Sequence, residues 1–144
     1  PFYPKSELII YGNTPIANEL VKFGEKYSFN VVHVTDFQDM ENNNLNEFSE
    51  KFVVIATQGN SDLVAITESL KIKATYIGLV ASKKKFQALK KEITDEGISQ
   101  EKLKDIICPA GIFINAIMPE EVALSIFAEI IELKRSGKIG SKKF

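Results

Sequence analysis

A chain of 144 residues, 44% hydrophobic and 26% charged with a formal net charge of -1, is long enough to bury one core and too balanced for its overall charge to draw it to nucleic acid. One cysteine, Cys108, excludes an internal disulfide and fits a reducing compartment, and no apolar run reaches the roughly 18 residues of a membrane span. The opening PFYPKSELII lacks the long apolar region of a secretory leader, so the expectation is a cytoplasmic protein with a single domain over residues 1–144.

The first apolar run, Glu7 to Tyr11, is followed by Gly12-Asn13-Thr14-Pro15, and then Ile16, Leu20, Phe23 and Tyr27 recur at helical spacing. This predicts a strand, a tight turn and a helix that Thr14 caps and Pro15 opens. The turn has the topology of a dinucleotide-binding fingerprint without its full chemistry. Thr14 puts a Cβ where a second glycine lets the backbone approach a pyrophosphate, Pro15 removes an N–H donor, and Ala17 is tolerated in the third place. Gly12, Asn13 and Thr14 are the first candidate cofactor contacts. A second strand, Asn30 to Thr35, closes on Asp36, roughly 20 residues beyond the turn, where an acid bonds an adenosine ribose. Asp36 is therefore a further candidate and points to NAD(P) chemistry, NADH above NADPH. His33, the one histidine, lies inside this strand and is read as a sheet-packing residue.

The polar, asparagine-rich stretch DFQDMENNNLNEFSEK is read as a loop with a brief helix around Leu45 to Phe48. A third strand, Phe52 to Ala56, leads into TQGNSD, a turn in which Thr57 is a candidate contact and which shapes a pocket wall without supplying a catalytic acid or base. Helical spacing of Leu63, Ile66 and Leu70 precedes a fourth strand, Ala74 to Leu79, that contains Gly78. Next, Ser82 is placed to cap a helix whose first turn holds Lys83, Lys84 and Lys85. Each cation there opposes the helix dipole by roughly 0.3–1 kcal/mol, a cost that an anion bound at the same place would reverse. Ser82, Lys83 and Lys84 are therefore candidate anion contacts. Phe86, Leu89 and Ile93 carry this helix towards Gly97, and Ser99 opens a short one.

The fifth strand, Asp105 to Cys108, runs into CPAGIFINAIMP, a long apolar connection read as a lid or a partner surface, with Gly111 inside it and Cys108 as a buried strand-end thiol. Pro119, Glu120 and Glu121 open the last helix, carried by Val122, Ile126, Ile130 and Leu133, and residues 136–144 are expected to fray. No nucleophile, base and orienting group stand in a recognisable set, so neither a catalytic residue nor a metal ligand is assigned. Strand alternates with helix throughout, which predicts an α/β fold with a parallel sheet of about five strands covered on both faces.

Three blocks carry a family resemblance. YIGLVASKKK, ICPAGIFINA and PEEVALSIFAEII resemble, in the same order, motifs of the C-terminal domain of the XdhC/CoxI family, accessory proteins for molybdenum hydroxylases such as xanthine dehydrogenase and carbon monoxide dehydrogenase. The resemblance implies a Rossmann-like three-layer sandwich with strand order 3-2-1-4-5 that holds molybdenum cofactor (molybdopterin) and delivers it to an apo-hydroxylase. It places Gly78, Ser82, Lys83, Lys84, Cys108, Pro109, Gly111, Glu120 and Glu121 on motif positions. It also implies molybdenum hydroxylase subunits as partners, together with a separate protein of the XdhC N-terminal type, and a homodimer is among the expected states. Ala81 and Asn115 stand where the motifs have glycine, Met118 where they have threonine, and the Gly12 turn lacks the family's histidine and later glycines. NAD(P)-dependent oxidoreduction and a ligand-free interaction module are the alternative readings.

Overall fold

In the computed structural model, which describes residues 5–36, 47–59 and 61–137, the apolar runs become strands of one parallel sheet. Five strands, β1 (Glu7–Tyr11), β2 (Asn30–Val34), β3 (Lys51–Ile55), β4 (Tyr76–Leu79) and β5 (Ile106–Ile107), alternate with helices. The helices are α1 (Pro15–Lys26), α2 (Asp62–Ser69), α3 (Lys83–Asp95), α4 (Gln100–Leu103) and α5 (Pro119–Ser136). Of the brief helix expected around Leu45 to Phe48, residues 45 and 46 lie outside the described residues, and Glu47 and Phe48 form a turn rather than a helix. Of the stretch 136–144 expected to fray, Ser136 ends α5 and Gly137 follows it in the left-handed region, while residues 138–144 lie outside the described part.

The sheet is Rossmann-like, but its order is β2-β1-β3-β4-β5 rather than 3-2-1-4-5. β3 pairs with β1 from Glu7↔Lys51 to Tyr11↔Ile55, and β2 flanks the other side of β1 from Glu7↔Asn30 to Tyr11↔Val34. Exposure explains the difference. Every residue of β1 and β3 is buried, as central strands require, whereas Asn30 is exposed and Val31, Val32 and His33 are half-buried, as an edge strand permits. The reversal of strand order therefore falls between β1 and β3.

Period-2 alternation divides the core between two faces. Leu8, Ile10, Phe52 and Val54 point to the layer of α1 and α5, where Phe23 and Phe29 lie 5.7 and 5.3 Å from Phe127 between ring centroids. Ile9, Tyr11, Val53 and Ile55 point to the layer that holds Ala65, Ile66, Phe86, Ile93 and Leu103 of α2, α3 and α4. Each fully buried aliphatic side chain stabilises this arrangement by roughly 1.5–3 kcal/mol, which fixes the register of the turns at the strand ends.

Candidate functional site

The turns after β1, β2 and β3 meet at the carboxyl edge of the sheet, where strand order reverses. They enclose a pocket of about 170 Å³ lined by Gly12, Asn13, Thr14, Val34, Thr35, Thr57 and Ser61. Ligands of doubly wound sheets bind at such a switch point. Of the residues singled out from sequence, Gly12, Asn13, Thr14 and Thr57 are brought together here.

Two contacts close the floor. Gly12 has φ +122, and a Cβ on it would stand 2.4 Å from Ala56 O, so only glycine lets the ends of β1 and β3 approach this closely. Thr14 then spans the gap, donating its hydroxyl to Ala56 O at 2.7 Å while accepting the Ala17 N–H at 3.2 Å. The Gly12 N–H donates to Val34 O at 3.0 Å, and His33 Nε2 lies 2.6 Å from Gly12 O. His33 thus fastens β2 to the turn. The Asn18 N–H is accepted by Thr14 O at 2.9 Å and Pro15 has no N–H, so much of what the start of α1 could offer an anion is already bonded inside the turn. Asn13, Thr35 and Ser61 bring an amide and two hydroxyls to the pocket, and Ser61 makes no side-chain bond to the helix it precedes.

The third turn holds an acid that the sequence reading passed over. Asp62, only 3% exposed, accepts the Thr57 hydroxyl, and both of its carboxylate oxygens lie 3.1 Å from the Gly59 N. Lys85 Nζ completes the cluster 3.1 Å from Asp62 Oδ2. Three donors on one carboxylate hold the β3–α2 turn in shape and join it to the start of α3. The signal was the spacing Thr57-x-Gly59-x-x-Asp62, in which a hydroxyl and a carboxylate flank a glycine with φ +97.

The other candidates lie apart from the pocket. Asp36 is exposed one residue beyond Thr35. Ser82 caps α3, accepting the Lys85 N–H at 3.1 Å, and the exposed Lys83 and Lys84 do not line the pocket. Gly78 lies within β4, where a Cβ would meet the Tyr76 hydroxyl at 2.5 Å. That hydroxyl donates to buried Glu129 at 2.6 Å, and the same Oε1 accepts the Gly111 N–H at 2.9 Å. Gly111, with φ +107, lies against α5 so closely that a Cβ would be 2.5 Å from Ser125 Oγ. Gly78 and Gly111 therefore serve close packing. Cys108 precedes a cis peptide to Pro109 and donates its thiol to Ala81 O at 3.1 Å, and burial pushes that thiol above its ordinary value. Among the described residues no group of His, Cys, Asp and Glu is arranged to hold a metal ion, and no helix is long and apolar enough to cross a membrane.

Comparison with known proteins agrees with this fold. The chain is 32% identical over 91 residues to the uncharacterized protein YqeB of Escherichia coli (strain K12), which covers 63% of this chain and 17% of YqeB. Its fold is similar, at a TM-score of 0.73 and 26% identity, to a Bacillus halodurans protein described as a xanthine dehydrogenase, with 98% of this chain and 46% of that one covered. The chain thus spans less than half the length of either protein. The family described as the XdhC Rossmann domain matches residues 8–130, nearly the whole of the α/β unit, and the chain belongs to that family.

Proposed function

We propose that this chain is the ligand-handling Rossmann unit of a maturation protein for molybdenum hydroxylases, one that takes up molybdenum cofactor or a related nucleotide and passes it to an apo-enzyme. The observation that carries this reading is the polar pocket at the β1–β3 switch point of an XdhC-family fold, and the likeness to a protein described as a xanthine dehydrogenase supports it. The donor set suits the phosphate-bearing end of such a ligand: the Asn13 amide and the Thr35 and Ser61 hydroxyls are uncharged groups that can donate to anionic oxygens. At about 170 Å³ the pocket accommodates one end of the ligand, since whole small-molecule sites run to roughly 300–1,000 Å³. Bound there, the cofactor would supply molybdenum redox chemistry to the recipient enzyme.

The roles assigned to the chain's own residues are binding and orientation. Asn13 and Ser61 contact the ligand, Thr14 keeps the floor closed, and Asp62 holds the Thr57 turn. Molybdenum hydroxylase subunits, and a separate protein of the XdhC N-terminal type, are the proposed partners. The test is anaerobic fluorescence titration with molybdenum cofactor, with NADH and NADPH in parallel. Wild type should bind the cofactor, Asn13→Ala with Ser61→Ala should weaken binding about tenfold or more, and Lys83→Ala with Lys84→Ala should change it less. No binding by wild type, or equal binding by the pocket variant, rejects the site. Preferential binding of NADH transfers the pocket to the dinucleotide reading.

A further inference from the structure

Residues 110–119 read AGIFINAIMP and contain no charged side chain. Within them Phe113 is 90% and Ile117 84% exposed, Met118 50%, Ile114 43% and Ile112 38%. At roughly 200 Å² per large side chain these five present on the order of 600 Å², the upper end of what a monomeric protein leaves open to water.

The segment is nonetheless held at both ends. At one end, the Gly111 N–H donates to Glu129 Oε1 at 2.9 Å and the Ile112 N–H to Ser125 O at 3.2 Å. At the other, the Ile117 and Met118 N–H groups donate to Glu121 Oε1 at 3.0 and 2.8 Å. Between them Asn115 turns in the left-handed region, with φ 59. The apolar side chains are thus presented on an ordered backbone, which removes much of the ordering cost from an association.

We propose that Ile112–Met118 is the centre of a two-fold interface with a second copy of this chain. A patch on a two-fold axis must face itself, which favours a surface without charge, and this one has none. The net charge of -1 gives two copies little long-range repulsion. The area agrees as well: about 600 Å² of apolar centre plus a polar rim approaches the roughly 800 Å² that each partner contributes to a standard interface. Because the segment leaves β5 at the carboxyl edge of the sheet, the second copy borders the edge on which the pocket opens.

Sedimentation velocity of the whole chain at about 100 μM, a concentration that populates a micromolar dimer, should give twice the 16.1 kDa chain mass. Phe113→Asp with Ile117→Asp should halve that mass with an unchanged circular dichroism spectrum, while Val64→Asp, on the exposed face of α2, should leave it doubled. Deuterium exchange of residues 112–118 should also slow as wild-type protein is concentrated. A monomeric wild type, a double variant of undiminished mass, or exchange independent of concentration would each overturn the proposal, and the first would assign the patch to a different polypeptide.

Discussion

Replacing Gly12 by alanine tests whether the β1–β3 crevice is closed as tightly as the geometry says. Two costs add. The backbone φ of +122 is one that side-chain-bearing residues rarely adopt, worth roughly 1–3 kcal/mol. The new Cβ would also lie 2.4 Å from Ala56 O and 2.7 Å from Ala56 C, against an ordinary carbon–oxygen approach of about 3.3 Å, so the strand ends must part by about 1 Å. The obstacle is backbone and cannot swing aside. Parting the strands stretches the Thr14 hydroxyl bond to Ala56 O and the Ala56 N–H bond to Tyr11 O, each worth about 1 kcal/mol. The expected loss is about 3–5 kcal/mol, or roughly 10–15 °C in Tm for a domain of this size. Gly97→Ala is the control: its φ is +95, but nothing lies within 4 Å of the added carbon, so only the backbone cost remains. Urea unfolding of both variants, compared at equal m-value, isolates the steric part. If Gly12→Ala is no less stable than Gly97→Ala, the close approach of the strands is wrong.

Removing the Asp62 carboxylate should expose a similar dependence in the neighbouring turn. Asp62→Ala leaves the Thr57 hydroxyl, only 4% exposed, without its acceptor and should cost about 1–3 kcal/mol in urea melts. In a double-mutant cycle with Lys85→Ala the coupling should stay below about 1 kcal/mol, because the lysine side chain is 41% exposed and solvent screens the pair; a coupling well above that would mean the turn depends on the charge itself. Glu121 supplies the pH dependence. Hydrogen bonds from the Met118 N–H first, and the Ile117 N–H second, hold its carboxyl below the ordinary value of 4.5. A depressed folded value means that its contribution is complete above 4.5 and fades as the pH falls through the folded value. Amide exchange corrected for intrinsic rates should therefore show Ile117 and Met118 losing protection only below that pH, and protection that grows in acid would contradict the assignment.

The strands were legible because their apolar runs are bounded by turn residues. Glu7 to Tyr11 was read to the residue, since Gly12 follows it directly. Sheet order was not legible in the same way. NVVHV looks as suited to an interior as KFVVI, and only the tertiary exposure of Asn30 to His33 makes β2 an edge. Local pattern fixes which way a side chain points but not which strand lies alongside. The pocket was partly legible, because strand–turn–helix order places Gly12 to Thr14 at the carboxyl edge whatever the neighbouring strand. Asp62 was missed because a polar turn gives no hint of burial until the helix after it packs down. The lysines at the start of α3 were read as one cluster, yet helical phase separates them. Lys85 stands four residues before Leu89, on its side of the helix, and reaches Asp62, while Lys83 and Lys84 stay in solvent.

The strand order also bears on how the polypeptide emerges during synthesis. β1 precedes the other strands of the sheet along the chain but occupies an interior place in it, with β2 on one side and β3 on the other. Until residues 51–55 are available to pair, the flank of β1 that β3 takes up leaves its backbone N–H and C=O groups without a strand partner, an open template for another chain. Interrupted translation or proteolysis before Lys51 would release fragments that aggregate, whereas a cut beyond Gly137 leaves every pairing of the described sheet in place.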